Sequence, residues 1–140
     1  MFKLKIAALF DRTLPDLEPH DVYVVQDGDV VFYVGMTGKG IVHRMYQHLG
    51  WSNSRQPLGH FIYANLPQSR DWIIYLYTKE ECGKKTARLA EASLIRSLHP
   101  CLNRMLSVKP TPLPDRYKQA IQIDYQVAPS DLIDIKITQR

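Results

Sequence analysis

The run DVYVVQDGDVVFYVG, residues 21–35, decides how the rest of the chain is read. Residues 21–26 and 29–35 are rich in valine, tyrosine and phenylalanine, side chains that suit a pleated, half-buried surface. Asp27-Gly28 between them is turn chemistry, since glycine reaches left-handed backbone angles without steric cost. Two short apolar runs divided by such a pair predict a β-hairpin.

Working outward from the hairpin, glycines at 35, 38 and 40 break the strand pattern, and Ile41, Met45 and Leu49 resume it with helical period. Gly50 is a natural stop. Residues 51–67 are irregular, with a short helix expected around GHFIYANL, and RDWIIYLYT at 70–78 reads as a strand buried on at least one face. Apolar side chains at 87, 90, 94, 95 and 98 predict an amphipathic helix over 84–98 that ends before His99-Pro100. Residues 1–19, with Pro15 and Pro19, read as an N-terminal arm or short strand followed by a loop. Pro110, Pro112 and Pro114 predict a linker. Beyond it come a short helical stretch near 115–120 and two alternating segments, IQIDYQV and LIDIKI, suited to edge strands or an interaction tail. The expected organisation is an arm at 1–19, one α/β (α+β) domain at 20–104, and a proline-rich linker with a C-terminal extension at 105–140.

The composition agrees with one globular core: 140 residues, 45% hydrophobic and 23% charged. Lys3 and Lys5 interrupt the N-terminal apolar stretch MFKLKIAALF, and no run approaches membrane-spanning length, so neither a secretory signal nor a membrane partner is expected. Cys82 and Cys101 lack zinc-ligand spacing and read as reduced thiols in a cytoplasmic setting. The net charge of +4 is unevenly spread, because residues 36–104 hold ten basic against four acidic side chains and the remainder is slightly acidic. A polyanion would meet the middle of the chain.

Three groups of residues can carry chemistry. Glu91 falls inside the apolar stripe of its helix, where a carboxylate costs several kcal/mol unless it is paired, protonated or bound to a metal. Pairing at the stripe's edge with Arg88 or a neighbouring lysine is the structural alternative. Arg44 and His48, four residues apart, share one helix face; a guanidinium beside an imidazole suits holding a phosphate and moving a proton near it, and also suits an exposed helix. Tyr23 and Tyr33 lie on the paired strands, where phenols serve as packing or as acids and bases.

In order and spacing these pieces resemble the GIY-YIG nuclease family. Asp21-Val22-Tyr23 stands at the first motif, with Asp21 where the family has glycine, and Tyr33-Val34-Gly35 matches the second with valine for isoleucine. YVGMTGKGIVHRMYQHL is similar to the family's passage into its arginine and histidine helix, and LAEASLIRSLHPCLN to its glutamate helix with the following proline and asparagine. The resemblance spans residues 20–104. It implies a small central three-stranded antiparallel sheet flanked by helices, and metal-dependent hydrolysis of DNA phosphodiester bonds. In matched roles, Glu91 ligates one divalent cation, Mg²⁺ or alternatively Mn²⁺, which polarises the phosphate and stabilises the leaving 3′ oxygen. Arg44 holds the phosphate, Tyr23 is general base toward water, Tyr33 and His48 assist, and Asn103 orients the site. Gly35 belongs to the second motif, and Lys39, in the loop before Arg44, would touch phosphate or help lower a phenol pKa. The competing expectation is a catalytically inactive nucleic-acid- or protein-binding module of the same fold. Specificity would come from the C-terminal extension itself, from a second copy, or from a partner protein, with the extension contacting DNA, mediating dimerisation or docking on that partner.

Overall fold

A computed structural model of the chain describes residues 1–38, 40–50, 56–103 and 109–119. The elements run β1 (Phe2–Lys5), α1 (Ile6–Asp11), β2 (Val22–Asp27), β3 (Val30–Met36), α2 (Ile41–Leu49), α3 (Pro57–Ala64), β4 (Ile73–Tyr77) and α4 (Ala87–Leu98), with a 3-10 turn at Gln68–Asp71 before β4. The sheet is antiparallel throughout, in the order β1-β4-β2-β3. Among the described residues it therefore has four strands, where three were expected. The extra strand is Phe2–Lys5, whose Lys3 and Lys5 face water while Leu4 is buried, a period-two alternation too short to stand out in the sequence.

The hairpin forms with one irregularity that matters. Val25 pairs with Tyr33 and Gln26 with Val31, so Phe32 is an extra residue in β3, a β-bulge. Such an insertion turns two successive side chains toward one face, and both Phe32 and Tyr33 pack with the larger core. Phe32 sits at its centre, 4.4 Å from the Trp72 ring and 5.0 Å from Phe61. That core lies between the sheet and α1, α2 and α3, and a smaller cluster of Val24, Val34 and Ile95 joins the other face to α4.

Helix ends follow from local chemistry. Gly50 ends α2 in the left-handed region, and Thr86 starts α4 by accepting the Leu89 amide at 3.1 Å. Within α4 the buried positions are Ala90, Ala92 and Ile95; Leu98 is exposed, and Glu91 lies half-buried at the stripe's margin. Residues 109–119 return to the body of the fold: the Tyr117 ring is buried 4.9 Å from Phe32, and its hydroxyl donates to Asp27 at 2.6 Å. Residues 115–117 form a turn, and the segments IQIDYQV and LIDIKI lie outside the described residues.

Candidate active site

Tyr23, on β2, lies opposite Gly35 on β3 and is fully buried. A Cβ at position 35 would stand 2.5 Å from the Tyr23 hydroxyl oxygen, so only glycine leaves room for the phenol to lie across the partner strand. Tyr33, two pairs further along and on the same face by strand alternation from Gly35, has its ring centroid 6.1 Å from that of Tyr23. The second motif thus contributes a phenol and the space for another.

The Arg44 and His48 side chains reach this place from α2. His48 is buried, with Nε2 2.6 Å from the Tyr23 hydroxyl and its ring 5.4 Å from that of Tyr33. Burial, reinforced by the Arg44 charge, lowers its pKa to about 3, so the imidazole is neutral at physiological pH. Its Nδ1 has no hydrogen-bond partner among the described residues. Arg44 lies close enough to both phenols to act on them through charge and hydrogen bonding, and Nη1 donates to Gln47 at 3.0 Å.

The phenols differ from expectation in one respect. Nearby cations were expected to lower a tyrosine pKa, yet burial pushes both Tyr23 and Tyr33 up, and the Arg44 charge only partly offsets it. Removal from water outweighs one guanidinium here. Lys39, the other expected cation, lies outside the described residues.

Glu91 belongs to α4, which packs on the opposite sheet face, yet its charge acts on both phenols. Burial raises its own pKa, with Arg88 and Arg44 pulling it back, and it makes no salt bridge among the described residues. No group of three or more metal-ligating side chains occurs among the described residues. Mg²⁺ is commonly held by one or two carboxylates completed by water and substrate phosphate, so a desolvated carboxylate without a salt bridge fits that ion.

Asn103 does not touch the phenols. Its amide accepts from the Val34 N–H and donates to the Val34 carbonyl, each at 2.9 Å, clamping β3 between Tyr33 and Gly35. The amides of Cys101 and Leu102 continue this pairing to the carbonyls of Val31 and Phe32. Asn103→Ala leaves two buried backbone groups unpaired, so a loss of about 2–4 kcal/mol in urea unfolding is expected, and a change near zero would refute the clamp.

Asp21 is held by backbone contacts: its carboxylate accepts the Lys79 amide at 2.6 Å, and its carbonyl accepts the Thr37 amide at 3.0 Å. Thr37, buried, also donates its hydroxyl to the His20 carbonyl. Thr37 and Gln47 were not singled out in the sequence. Gln47 carried one signal, its i+3 spacing from Arg44.

The neutral His48 has a consequence for stability. Unfolded, the imidazole takes a proton as pH falls through about 6.5; folded, only near 3. Stability present above pH 6.5 is therefore lost on acidification, by about 3 kcal/mol at pH 4 from this group. His48→Gln should flatten that part of the profile, as measured by urea unfolding at pH 7 and pH 4; an unchanged slope would contradict the buried neutral state.

No family model, curated protein or solved structure matches this chain. No helix among the described residues is long and apolar enough to cross a membrane.

Proposed function

We propose that this chain is a metal-dependent endonuclease of the GIY-YIG type that hydrolyses DNA phosphodiester bonds. The observation that carries this reading is the convergence of Tyr23, Tyr33, Arg44 and His48 on one point, with the Glu91 charge acting there from another helix. Packing alone gives no reason for two phenols, an imidazole, a guanidinium and a carboxylate to share partly desolvated space.

The proton path follows from the pKa directions. Tyr23 is held protonated, so it is not a standing phenolate, and His48 is held neutral, so it can accept. With the imidazole proton on Nδ1, Tyr23 donates to Nε2; as it takes a proton from the attacking water, it passes its own to His48. An arriving phosphate pairs with Arg44 and cancels one of the two causes that hold the imidazole pKa down, which favours that transfer. Arg44 then meets the charge that grows on the phosphate oxygens. Tyr33, less deeply buried than Tyr23, would assist by hydrogen bonding. Glu91 would hold Mg²⁺ or Mn²⁺, which when bound supplies Lewis-acid stabilisation of the leaving oxygen.

A non-catalytic nucleic-acid-binding module is the second reading, favoured by the upward push on Tyr23, Tyr33 and Glu91. End analysis of a labelled duplex incubated with Mg²⁺ separates the two. Hydrolysis with the 3′ oxygen leaving yields 3′-hydroxyl and 5′-phosphate ends; intact duplex with retained binding would favour the module.

A further inference from the structure

β2 begins, and β3 and β4 end, at one end of the sheet, where Val22 pairs with both Met36 and Tyr77. The turn after β4 is therefore held beside the strand that carries Tyr23. It is tied there by the Lys79 amide to the Asp21 carboxylate, two residues before that tyrosine. We propose that Lys84, Lys85 and Arg88, on this turn and the first turn of α4, form a lip that grips the phosphate backbone of DNA next to the site. This inference rests on the nuclease reading and adds to it where the substrate is held.

Four observations support the lip. All three side chains are exposed, and none makes a salt bridge among the described residues, whereas Lys5 and Arg70 at the β1 side are paired with Asp71 and Asp11. The frame beneath them is built: Lys84 and Cys82 donate their amides to the Lys79 carbonyl, Gly83 donates to Glu80, and the Thr86 cap fixes the helix start. Of the neighbouring acids, Glu81 is occupied by the N-terminal amine, leaving Glu80 as the exposed opposing charge. Arg88 is one turn before Glu91 and acts on its carboxylate, which places the lip against the metal-binding position of the proposed site.

The surface at the start of α2 has a different character. A recess of about 600 Å³ between the loop before β2 and the start of α2 is lined by Asp16, Glu18, His20, Gly40 and His43. Asp16 and Glu18 there repel phosphate.

The test compares three proteins binding a fluorescein-labelled 20-base-pair duplex by anisotropy in EDTA across a salt series: wild type, K84Q/K85Q/R88Q, and K3Q/K5Q/R12Q, which loses the same charge at the β1 side. The lip variant is expected to bind at least about tenfold more weakly at low salt, and its log K against log salt slope should be shallower by about 2.7, near 0.9 per lost phosphate contact. The β1-side variant should stay close to wild type. Equal losses in both variants, or an unchanged slope in the lip variant, would overturn the lip while leaving the nuclease reading intact. A wild-type protein that does not bind the duplex would overturn both. The substituted side chains are exposed, so wild-type melting temperatures are expected for both variants.

Discussion

Glu91→Gln should lower Mg²⁺-dependent strand cleavage by at least about a thousandfold, because metal stabilisation of a phosphoryl transition state is worth several kcal/mol and each 1.36 kcal/mol is tenfold in rate. The substitution keeps the shape of the side chain and removes only the charge that would hold the cation. Folding should not suffer. Burial raises the Glu91 pKa, so the ionised carboxylate is a cost to the folded state that grows as pH rises, and glutamine removes it. Duplex affinity should stay within about threefold of wild type, since affinity for DNA comes mainly from cations on phosphates. Gel-based cleavage and anisotropy on the same preparation check the two halves. Unchanged turnover would remove Glu91 from the reaction, and lost binding with lost folding would make its role structural.

Tyr23→Phe should cut the cleavage rate by about 10²–10⁴, the usual contribution of a positioned acid–base group, with KM little changed. The phenol is fully buried and touches His48, so its effect falls on proton transfer and not on contact with the DNA backbone. Removing the hydroxyl leaves His48 Nε2 without its partner and should cost about 1–3 kcal/mol of stability, which urea unfolding will show separately from the kinetics. Because Tyr23 and His48 act in series, His48→Gln added to Tyr23→Phe should lower the rate little further. Rate losses that multiply across the double variant would contradict a shared proton path. So would a Tyr23→Phe protein whose only defect is weaker substrate binding.

The hairpin, the Arg44 helix and the Glu91 helix could be read from the chain because each is written in local period and punctuation. Gly28 marks the turn and Gly50 the helix stop, and the aliphatic spacing of α2 and α4 follows the helical repeat. The fourth strand escaped because four residues at Phe2–Lys5 give too little alternation to distinguish a strand from an arm, and its partner β4 lies about 70 residues away. The burial of Tyr117 was equally hidden. Three prolines in five residues carry the chemistry of a linker, and only the cavity left by Phe32, Phe61 and Trp72 makes a home for the ring.

In the candidate site, the sequence could put Tyr23, Tyr33, Arg44, His48 and Glu91 forward but could not tell packing from chemistry, since that depends on which sheet face each strand residue takes. The register that sets Tyr23 opposite Gly35 also puts Tyr33 on that face, and no residue type announces it. The need for glycine at 35 became physical only through the distance to the Tyr23 hydroxyl. The role of Asn103 proved to be a backbone clamp on Val34, a contact across 69 residues with no local signature. The pKa directions were the least legible, because desolvation by burial outweighs the Arg44 charge at both phenols.

The most direct measurement is a plasmid-nicking assay in which supercoiled DNA is incubated with the protein in Mg²⁺ and in EDTA, beside Glu91→Gln under both conditions. Metal-dependent hydrolysis at this site predicts open-circular or linear DNA from the wild type in Mg²⁺ alone, and supercoiled DNA in the other three reactions. Plasmid that the wild-type protein binds but leaves supercoiled in Mg²⁺, or cutting by Glu91→Gln at the wild-type rate, would contradict it.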